Sequence, residues 1–437
     1  MARSIVALVG RPNVGKSSLF NRLTGERRAV IHDVPGTTRD RLYGTAEWNG
    51  QEFTVVDTGG IDLASEGLPG EIRAQAEEAM READVILFVV DVTTGVTTMD
   101  AEVATLLRRT EKPLLLVANK ADNVRLARLA DELYELGLGK PYAISALHGT
   151  GTGDLLDELT AIMPHQEAVE DDDESFSVAI VGRPNVGKSS LLNAILGEQR
   201  VIVGPIPGTT RDAIDTELEY EGQRVKLIDT AGLRRRGRIE PGVEKFSVLR
   251  SVRAIERCDV AVLVIDADDG VTAQDAHVAG YVQEAMKGLL IVLNKWDLIT
   301  KVPTVAADFT ALVKRELNFV DYAPVLFLSA LSGRGTQRVL PAVAAIAQER
   351  RKRVPTAELN NAMREAFAAH PLNDKGKPFK LYYVTQPRTS PPTFIFFVND
   401  PRRVHFSYIR YLENKIREHF GFEGTAIKIA FRGRSER

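Results

Sequence analysis

One nine-residue string, Gly-Arg-Pro-Asn-Val-Gly-Lys-Ser-Ser, occurs twice in this chain, at 10–18 and at 182–190. Each copy ends an apolar, β-branched run (Ile-Val-Ala-Leu-Val at 5–9; Val-Ala-Ile-Val at 178–181) and opens a helix-like segment, at 19–23 and 191–195. A strand, a G-x-x-x-x-G-K-S loop and a helix in succession make a phosphate cradle: glycines turn backbone N–H groups inward and the helix N-terminus adds its positive dipole end. The residues that would wrap the anion are Gly10, Arg11, Pro12, Asn13, Val14 and Gly15, and in the second copy Gly182, Arg183, Pro184, Asn185, Val186 and Gly187. Lys16 and Lys188 would reach the β- and γ-phosphates, and Ser17 and Ser189 would offer a hydroxyl to Mg²⁺. A chance glycine-rich turn explains one copy poorly and two copies in matching contexts not at all.

The rest of each repeat follows from that start. In the first, strands are expected at 53–56, 85–90 and 114–117, with helices at 71–81, 99–109, 124–136 and 153–162. Alternation of this kind implies a mostly parallel sheet flanked by helices, with ligands at the carboxyl ends of its strands. Motifs do fall where apolar runs stop. Asp57-Thr58-Gly59-Gly60 follows the second run; its aspartate would hold Mg²⁺ through water and a glycine N–H would meet a γ-phosphate. Asn119-Lys120-Ala121-Asp122 follows the fourth, and the Asp122 carboxylate accepts from guanine N1–H and its N2 amino group, which adenine cannot supply. Ser145-Ala146 would close over the base with backbone N–H groups. The polar loop 33–40 suits a segment ordered by ligand, with one threonine hydroxyl completing the Mg²⁺ shell.

The second repeat carries the same landmarks: the loop 207–212, Asp229-Thr230-Ala231-Gly232, Asn294-Lys295-Trp296-Asp297 and Ser329-Ala330. The two loops start 172 positions apart, so the repeating unit is a whole domain. The expected division is a first G domain at 1–163, an acidic linker at 164–175, a second G domain at 176–350 and a small α+β domain at 351–437. One difference between the repeats is a basic run at 234–238, which would grip RNA phosphate, an acidic partner surface, or nothing.

Charge sets the tail apart. The net charge of −3 combines an acidic body with a basic tail: residues 351–437 hold 17 Lys+Arg against 8 Asp+Glu. A polyanionic partner is expected there. The tail reads helix 356–369, strands 379–385 and 393–398, helix 402–420 and strand 426–431, and it holds 13 of the chain's 29 aromatics. Aromatics beside basic residues stack bases in some domains. In others they are the core, as Phe394 and Phe396 on alternate strand positions indicate. A single cysteine, Cys258, excludes an intramolecular disulfide and points to a reducing compartment. No apolar run approaches membrane-spanning length and no signal-peptide layout opens the chain, so a cytoplasmic protein with no membrane partner is expected.

The order of these motifs resembles the Der (EngA) family of bacterial GTPases, which carry two tandem Era-like G domains and a C-terminal KH-like domain. The resemblance runs from Ile5 to Arg432. It implies GTP and GDP as ligands and a role in assembling the large (50S) ribosomal subunit, with rRNA and ribosomal proteins as partners and a monomer when free. It also places the magnesium-contacting switch threonines at Thr38 and Thr210, and leaves Ile61 and Leu233 where other GTPases carry a water-orienting glutamine. Related enzymes with that substitution use K⁺, held partly by a loop asparagine; Asn13 and Asn185 occupy that position, and potassium dependence is the implication. The turn at 399–403 lacks the G-x-x-G clamp of RNA-binding KH domains, so the tail domain is expected to pack on the second G domain. Two other readings compete with this one: a scaffold in which one G domain only holds nucleotide, against which both motif sets are intact, and a GTP-dependent RNA-modification factor, for which the sequence shows no further cofactor or acceptor site.

Overall fold

The computed structural model describes residues 3–25, 43–49, 51–58, 69–164, 175–198, 201–203, 215–230, 248–299, 305–374 and 377–433. The chain divides into two compact units: residues 1–170 with 247–256, and residues 171–246 with 257–437. No helix among the described residues is long and apolar enough to cross a membrane.

The first unit is built on a six-stranded sheet of order β2-β3-β1-β4-β5-β6. Its strands are β1 (Ser4–Val9), β2 (Tyr43–Trp48), β3 (Gln51–Asp57), β4 (Val85–Asp91), β5 (Leu114–Asn119) and β6 (Pro141–Ala143). All neighbours are parallel except β2 and β3. Every residue of β1 and β4 is buried, as expected of central strands covered on both faces. Each large aliphatic side chain so buried stabilises the fold by about 1.5–3 kcal/mol. Helices α1 (Lys16–Gly25), α2 (Pro69–Glu82), α3 (Thr98–Leu107), α4 (Val124–Leu129) and α5 (Thr152–Ile162) complete it. The expected helix over 124–136 is α4 continued by a 3-10 turn, Ala130–Leu136, which stops at Gly137 with φ 63. Strand β2 is not among the expected strands; its signal is the Asn49-Gly50 pair before β3, a hairpin dipeptide, with Asn49 at φ 49.

Residues 247–256 group with this unit. Residues 248–256 lie on helix α7 (Val248–Arg257), where Leu249, Val252 and Ile255 are buried. Glu256, 2% exposed, accepts from the Thr54 hydroxyl at 2.8 Å and from the Arg3 backbone N–H at 3.2 Å. A carboxylate so enclosed is tolerated because donors meet it.

The second unit holds a seven-stranded sheet of order β13-β12-β11-β7-β10-β9-β8. It comprises β7 (Ser175–Val181), β8 (Val201–Val203), β9 (Thr216–Tyr220), β10 (Gln223–Ile228), β11 (Val260–Asp266), β12 (Gly288–Asn294) and β13 (Val325–Phe327). Strand β9 pairs antiparallel with both β8 and β10 at one edge, and the remaining neighbours run parallel. Helix α6 (Lys188–Leu196) follows β7, and α8 (Ala273–Glu284), α9 (Val305–Glu316) and α10 (Val339–Arg351) follow in chain order. The same carboxylate pin starts both central strands: Asp84 accepts from Ile5 N–H and Asp259 from Ser177 N–H, each at 2.8 Å.

The tail belongs to this second unit. It contains α11 (Thr356–Ala369), a two-residue hairpin of β14 (Asn373–Asp374) and β15 (Lys377–Pro378), then β16 (Leu381–Arg388), β17 (Thr393–Val398), α12 (Phe406–Phe420) and β18 (Lys428–Gly433). Its sheet order is β16-β17-β18, with Leu359, Met363, Phe394, Phe396, Leu412, Ile416 and Phe422 in its core. The tail packs on the second G domain, against the start of β12 and against α10, in line with the expectation from its sequence. Leu289 N–H donates to Gly424 O at 2.7 Å, Phe422 N–H to Glu349 Oε2 at 2.6 Å, and the Arg417 guanidinium lies 4.2 Å from the Tyr322 ring centre. Arg350, 4% exposed, bridges Met286 O and the Thr425 hydroxyl.

Candidate functional site

Both phosphate loops leave the carboxyl end of a central strand, β1 or β7, whose neighbours lie to either side and whose crossovers diverge there. That divergence opens a crevice where a ligand can sit. Gly10 (φ +155) would drive a Cβ into the Val89 carbonyl, and Gly15 (φ +92) would drive one into the Asn119 side chain. Gly182 and Gly187 are confined in the same way by Val264 and Asn294. Only glycine permits that approach. Val14 and Val186 are buried and anchor each loop, while Pro12 is exposed and Pro184 half-buried. Asn13 and Asn185 are exposed and sit at φ 65 and 63, a left-handed conformation that asparagine tolerates better than most residues.

Lys16 Nζ donates to Gly10 O at 2.7 Å and Arg11 O at 2.9 Å; Lys188 Nζ reaches Gly182 O at 2.9 Å and Arg183 O at 2.5 Å. Each ammonium is thus folded back over its own loop. Burial pushes the Lys16 pKa below the ordinary lysine value; the Asp57 charge opposes that shift and Arg11 adds to it. The Arg11 guanidinium is itself held by Asp100 at 3.2 Å and by Thr94, and that of Arg183 by Asp275 at 3.1 Å and Asp269 at 3.2 Å. Asp100 and Asp275 also close the capping boxes that start α3 and α8. So the arginine side chains brace the loops against the next helix, and their carbonyls face the lysines.

A divalent cation has a matching donor set here. Ser17 Oγ donates to Asp57 Oδ2 at 2.8 Å, bringing a hydroxyl and a carboxylate together at the mouth of the loop. Ser189 Oγ is buried with no hydrogen-bond partner among the described residues, a deficit that a bound cation would remove. All-oxygen donors suit Mg²⁺. Asp57 is 3% exposed, and Asp229 stands at φ 56 with its N–H on Asp215 Oδ1 at 3.0 Å. The hydroxyls of Thr58 and Thr230 are engaged inside the fold, with Leu8 O and the Thr216 hydroxyl, both at 2.6 Å.

The base end of each site is assembled by one asparagine. Asn119 Nδ2 donates to Val14 O at 2.8 Å while its Oδ1 accepts from Ala146 N–H at 3.0 Å. Asn294 does the same with Val186 O at 2.8 Å and Ala330 N–H at 2.9 Å. Each thereby ties the phosphate loop to the turn after the last strand. The N–H groups of Ser145 and Ser329 donate to Thr150 O and Arg334 O. Asp122 is exposed and accepts from the Ser145 hydroxyl at 2.6 Å; Asp297 is exposed in the second site. Lys120 and Lys295 extend over the crevice at φ 67 and 60 and pair with Asp91 at 2.7 Å and Asp266 at 2.5 Å. Burial alone would raise the Asp91 pKa, but hydrogen bonds from Lys120 and Thr93 outweigh it, and the carboxyl lies below its ordinary value.

Asp91, Asp266, Asp100 and Asp275 are absent from the residues expected from sequence. Their signal was available, since Asp91 and Asp266 each end an apolar strand and the two aspartates of each repeat keep the same spacing to that repeat's own Asn-Lys motif. Thr38, Gly59, Gly60, Thr210, Ala231 and Gly232 lie outside the described residues, as do Ile61, Leu233, the loops 33–40 and 207–212 and the basic run 234–238.

A family model described as a 50S ribosome-binding GTPase matches residues 5–120 and 177–295. Another, described as the KH-domain-like C-terminal part of EngA bacterial GTPases, matches residues 353–432. Among curated relatives, GTPase Der of Chloroflexus aggregans is 55% identical over 100% of this chain and 99% of its own length. GTPase Der of Moorella thermoacetica is 52% identical over 100% of both. GTPase Der of Thermomicrobium roseum is 54% identical over 98% of this chain and 96% of its own. Two loops of one design on two parallel sheets, matched end to end by these relatives, place the chain in the Der family of GTPases, with two tandem G domains and a KH-like C-terminal domain.

Proposed function

We propose that this chain is a GTP-hydrolysing switch that acts in assembly of the large ribosomal subunit. The observation that carries the nucleotide half of this reading is the duplicated asparagine clip, Asn119 on Val14 and Asn294 on Val186, which sets each phosphate loop against a guanine-selective aspartate. The ribosomal half rests on the description of the matching family as 50S ribosome-binding and on the basic tail. The division into 1–163, 164–175, 176–350 and 351–437 belongs to the same proposal, as do a monomeric state when free and a cytoplasmic location.

In each site the aspartate of the Asn-Lys motif (Asp122 or Asp297) selects guanine. Lys16 and Lys188 exchange their loop carbonyls for phosphate oxygens and take up charge that develops in the transition state. Ser17 with Asp57, and Ser189 with Asp229, would hold Mg²⁺, which would neutralise phosphate charge there. Thr38 and Thr210 complete the set in the proposal, and Asn13 and Asn185 are its potassium ligands. The left-handed backbone at both asparagines supplies a conformational reason for the residue type, so potassium dependence needs its own test.

Cosedimentation with large-subunit particles in GTP, GDP and a non-hydrolysable analogue tests the switch, and equal binding in all three states refutes it. Replacing Lys16 and Lys188 separately tests whether both sites hydrolyse. Turnover compared in K⁺ and Na⁺ tests the monovalent cation.

A further inference from the structure

The aromatics of the tail divide into two sets by the sheet face they occupy. Phe394, Phe396 and Val384 point to the helices and are fully buried. Tyr383 and Phe397 lie on the opposite face, ring centres 4.3 Å apart and planes 11° from parallel, and Tyr383 is 47% exposed. A β-bulge places Tyr383 there. Leu381 pairs with Val398 and packs on the core, yet Tyr383 pairs with Phe397, so the strand gains a residue between the two and reverses its facing.

The register across the sheet extends the pair into a surface. Arg432 is the β18 partner of Phe397, and Ala430 that of Ile395. At the other end, Arg388 and Lys428 both pair with Thr393. Arg388, Lys428 and Arg432 are exposed. Strands β16, β17 and β18 carry no Asp or Glu, and neither Lys428 nor Arg432 is ion-paired among the described residues. A cross-strand aromatic pair stabilises any sheet, but that role does not require basic side chains at both ends or the exclusion of acids. Stacked rings with flanking cations are the two elements with which proteins hold single-stranded nucleic acid: bases stack on the rings and phosphates meet the cations.

We propose that the outer face of this sheet, centred on Tyr383 and Phe397 and edged by Arg432, Lys428 and Arg388, is a stacking site for single-stranded RNA. It takes the place of the absent G-x-x-G clamp at 399–403, where Asp400 instead caps the turn by accepting from Arg402 N–H. That the strand is RNA rests on the ribosomal reading above; the stacking chemistry does not.

The test uses the full chain and a labelled, mixed-sequence RNA of about 12 nucleotides, near the span such surfaces hold, as a single strand and as a duplex, read by fluorescence anisotropy at low salt. Tyr383→Ser and Arg432→Gln are each expected to weaken single-strand binding about tenfold. Tyr383→Phe keeps the ring and is expected to bind as the parent does. GTP turnover and thermal unfolding check that each variant is intact. The proposal is overturned if the parent does not bind the single strand, if Tyr383→Ser binds like the parent, if Tyr383→Phe is as weak as Tyr383→Ser, or if duplex or polyglutamate competes as well as single-stranded RNA. Large-subunit cosedimentation of the same variants separates the two readings. Intact particle binding with unaltered oligonucleotide binding in Tyr383→Ser removes this site and leaves the ribosomal role. Oligonucleotide binding through this face without any particle binding does the reverse.

Discussion

Ser17 donates its hydroxyl to Asp57 at 2.8 Å, whereas the corresponding hydroxyl in the second site, that of Ser189, is buried with no hydrogen-bond partner among the described residues. A divalent cation would suit both arrangements, by taking the place of the Ser17–Asp57 hydrogen bond in one and by accepting an electron pair from the Ser189 hydroxyl oxygen in the other. Ser17→Ala and Ser189→Ala are therefore expected to lower GTP affinity at their own site by at least about tenfold in Mg²⁺. In EDTA each should differ little from the parent. Titration with a fluorescent GTP analogue, with and without chelator, reads this directly.

The asparagine clips predict a structural cost. Asn119→Ala leaves the Val14 carbonyl and the Ala146 N–H buried without their partner. Each unsatisfied buried group costs about 1–3 kcal/mol, so a loss of about 2–6 kcal/mol is expected in denaturant unfolding of the first unit. Nucleotide binding at that site should be lost with it.

Base selectivity is expected to reside in Asp122. Asp122→Asn exchanges one acceptor for a donor and should weaken GTP binding at the first site by about a hundredfold, through the loss of one charge-assisted hydrogen bond and of the charge that strengthens the other. Xanthosine triphosphate, which presents an oxygen where guanine has its amino group, should gain. Equal loss of both nucleotides would mean that the site had collapsed.

Lys16 gives a pH signature. Its pKa is lowered chiefly by burial, so between that lowered value and the ordinary one the unfolded chain binds more protons than the folded one. Stability of the unliganded protein from this group therefore rises with pH through that window. Phosphates bound beside the ammonium favour its charged form and raise the pKa again. GTP binding at alkaline pH should take up protons, and calorimetry in buffers of different ionisation enthalpy would show a net uptake that Lys16→Met reduces.

Cys258 should be inert. It is 1% exposed, and burial pushes its thiol up to about 12, far from the thiolate needed for reaction. Ellman's reagent at neutral pH should modify it only as fast as the fold opens, and fully in denaturant.

Local pattern alone carried the two phosphate loops, the order of strands and helices around them, the Asn-Lys-x-Asp tetrapeptides and the basic tail. All of these are written within a few neighbouring residues, by glycine where the backbone must turn, by apolar period, or by a carboxylate beside a loop. Tertiary structure decided what depends on partners distant in the chain. It turned the Arg11 guanidinium to Asp100, added antiparallel edge strands to both sheets, and grouped residues 247–256 with the first unit through Glu256 and Thr54. It also divided the tail's aromatics between core and surface. Strict alternation would give Leu381 and Tyr383 one face; the bulge between them separates those faces, and only pairing with Phe397 and Val398 reveals it. Pattern along a chain specifies which residues are apolar, but facing follows from register, which is set across strands and not along them.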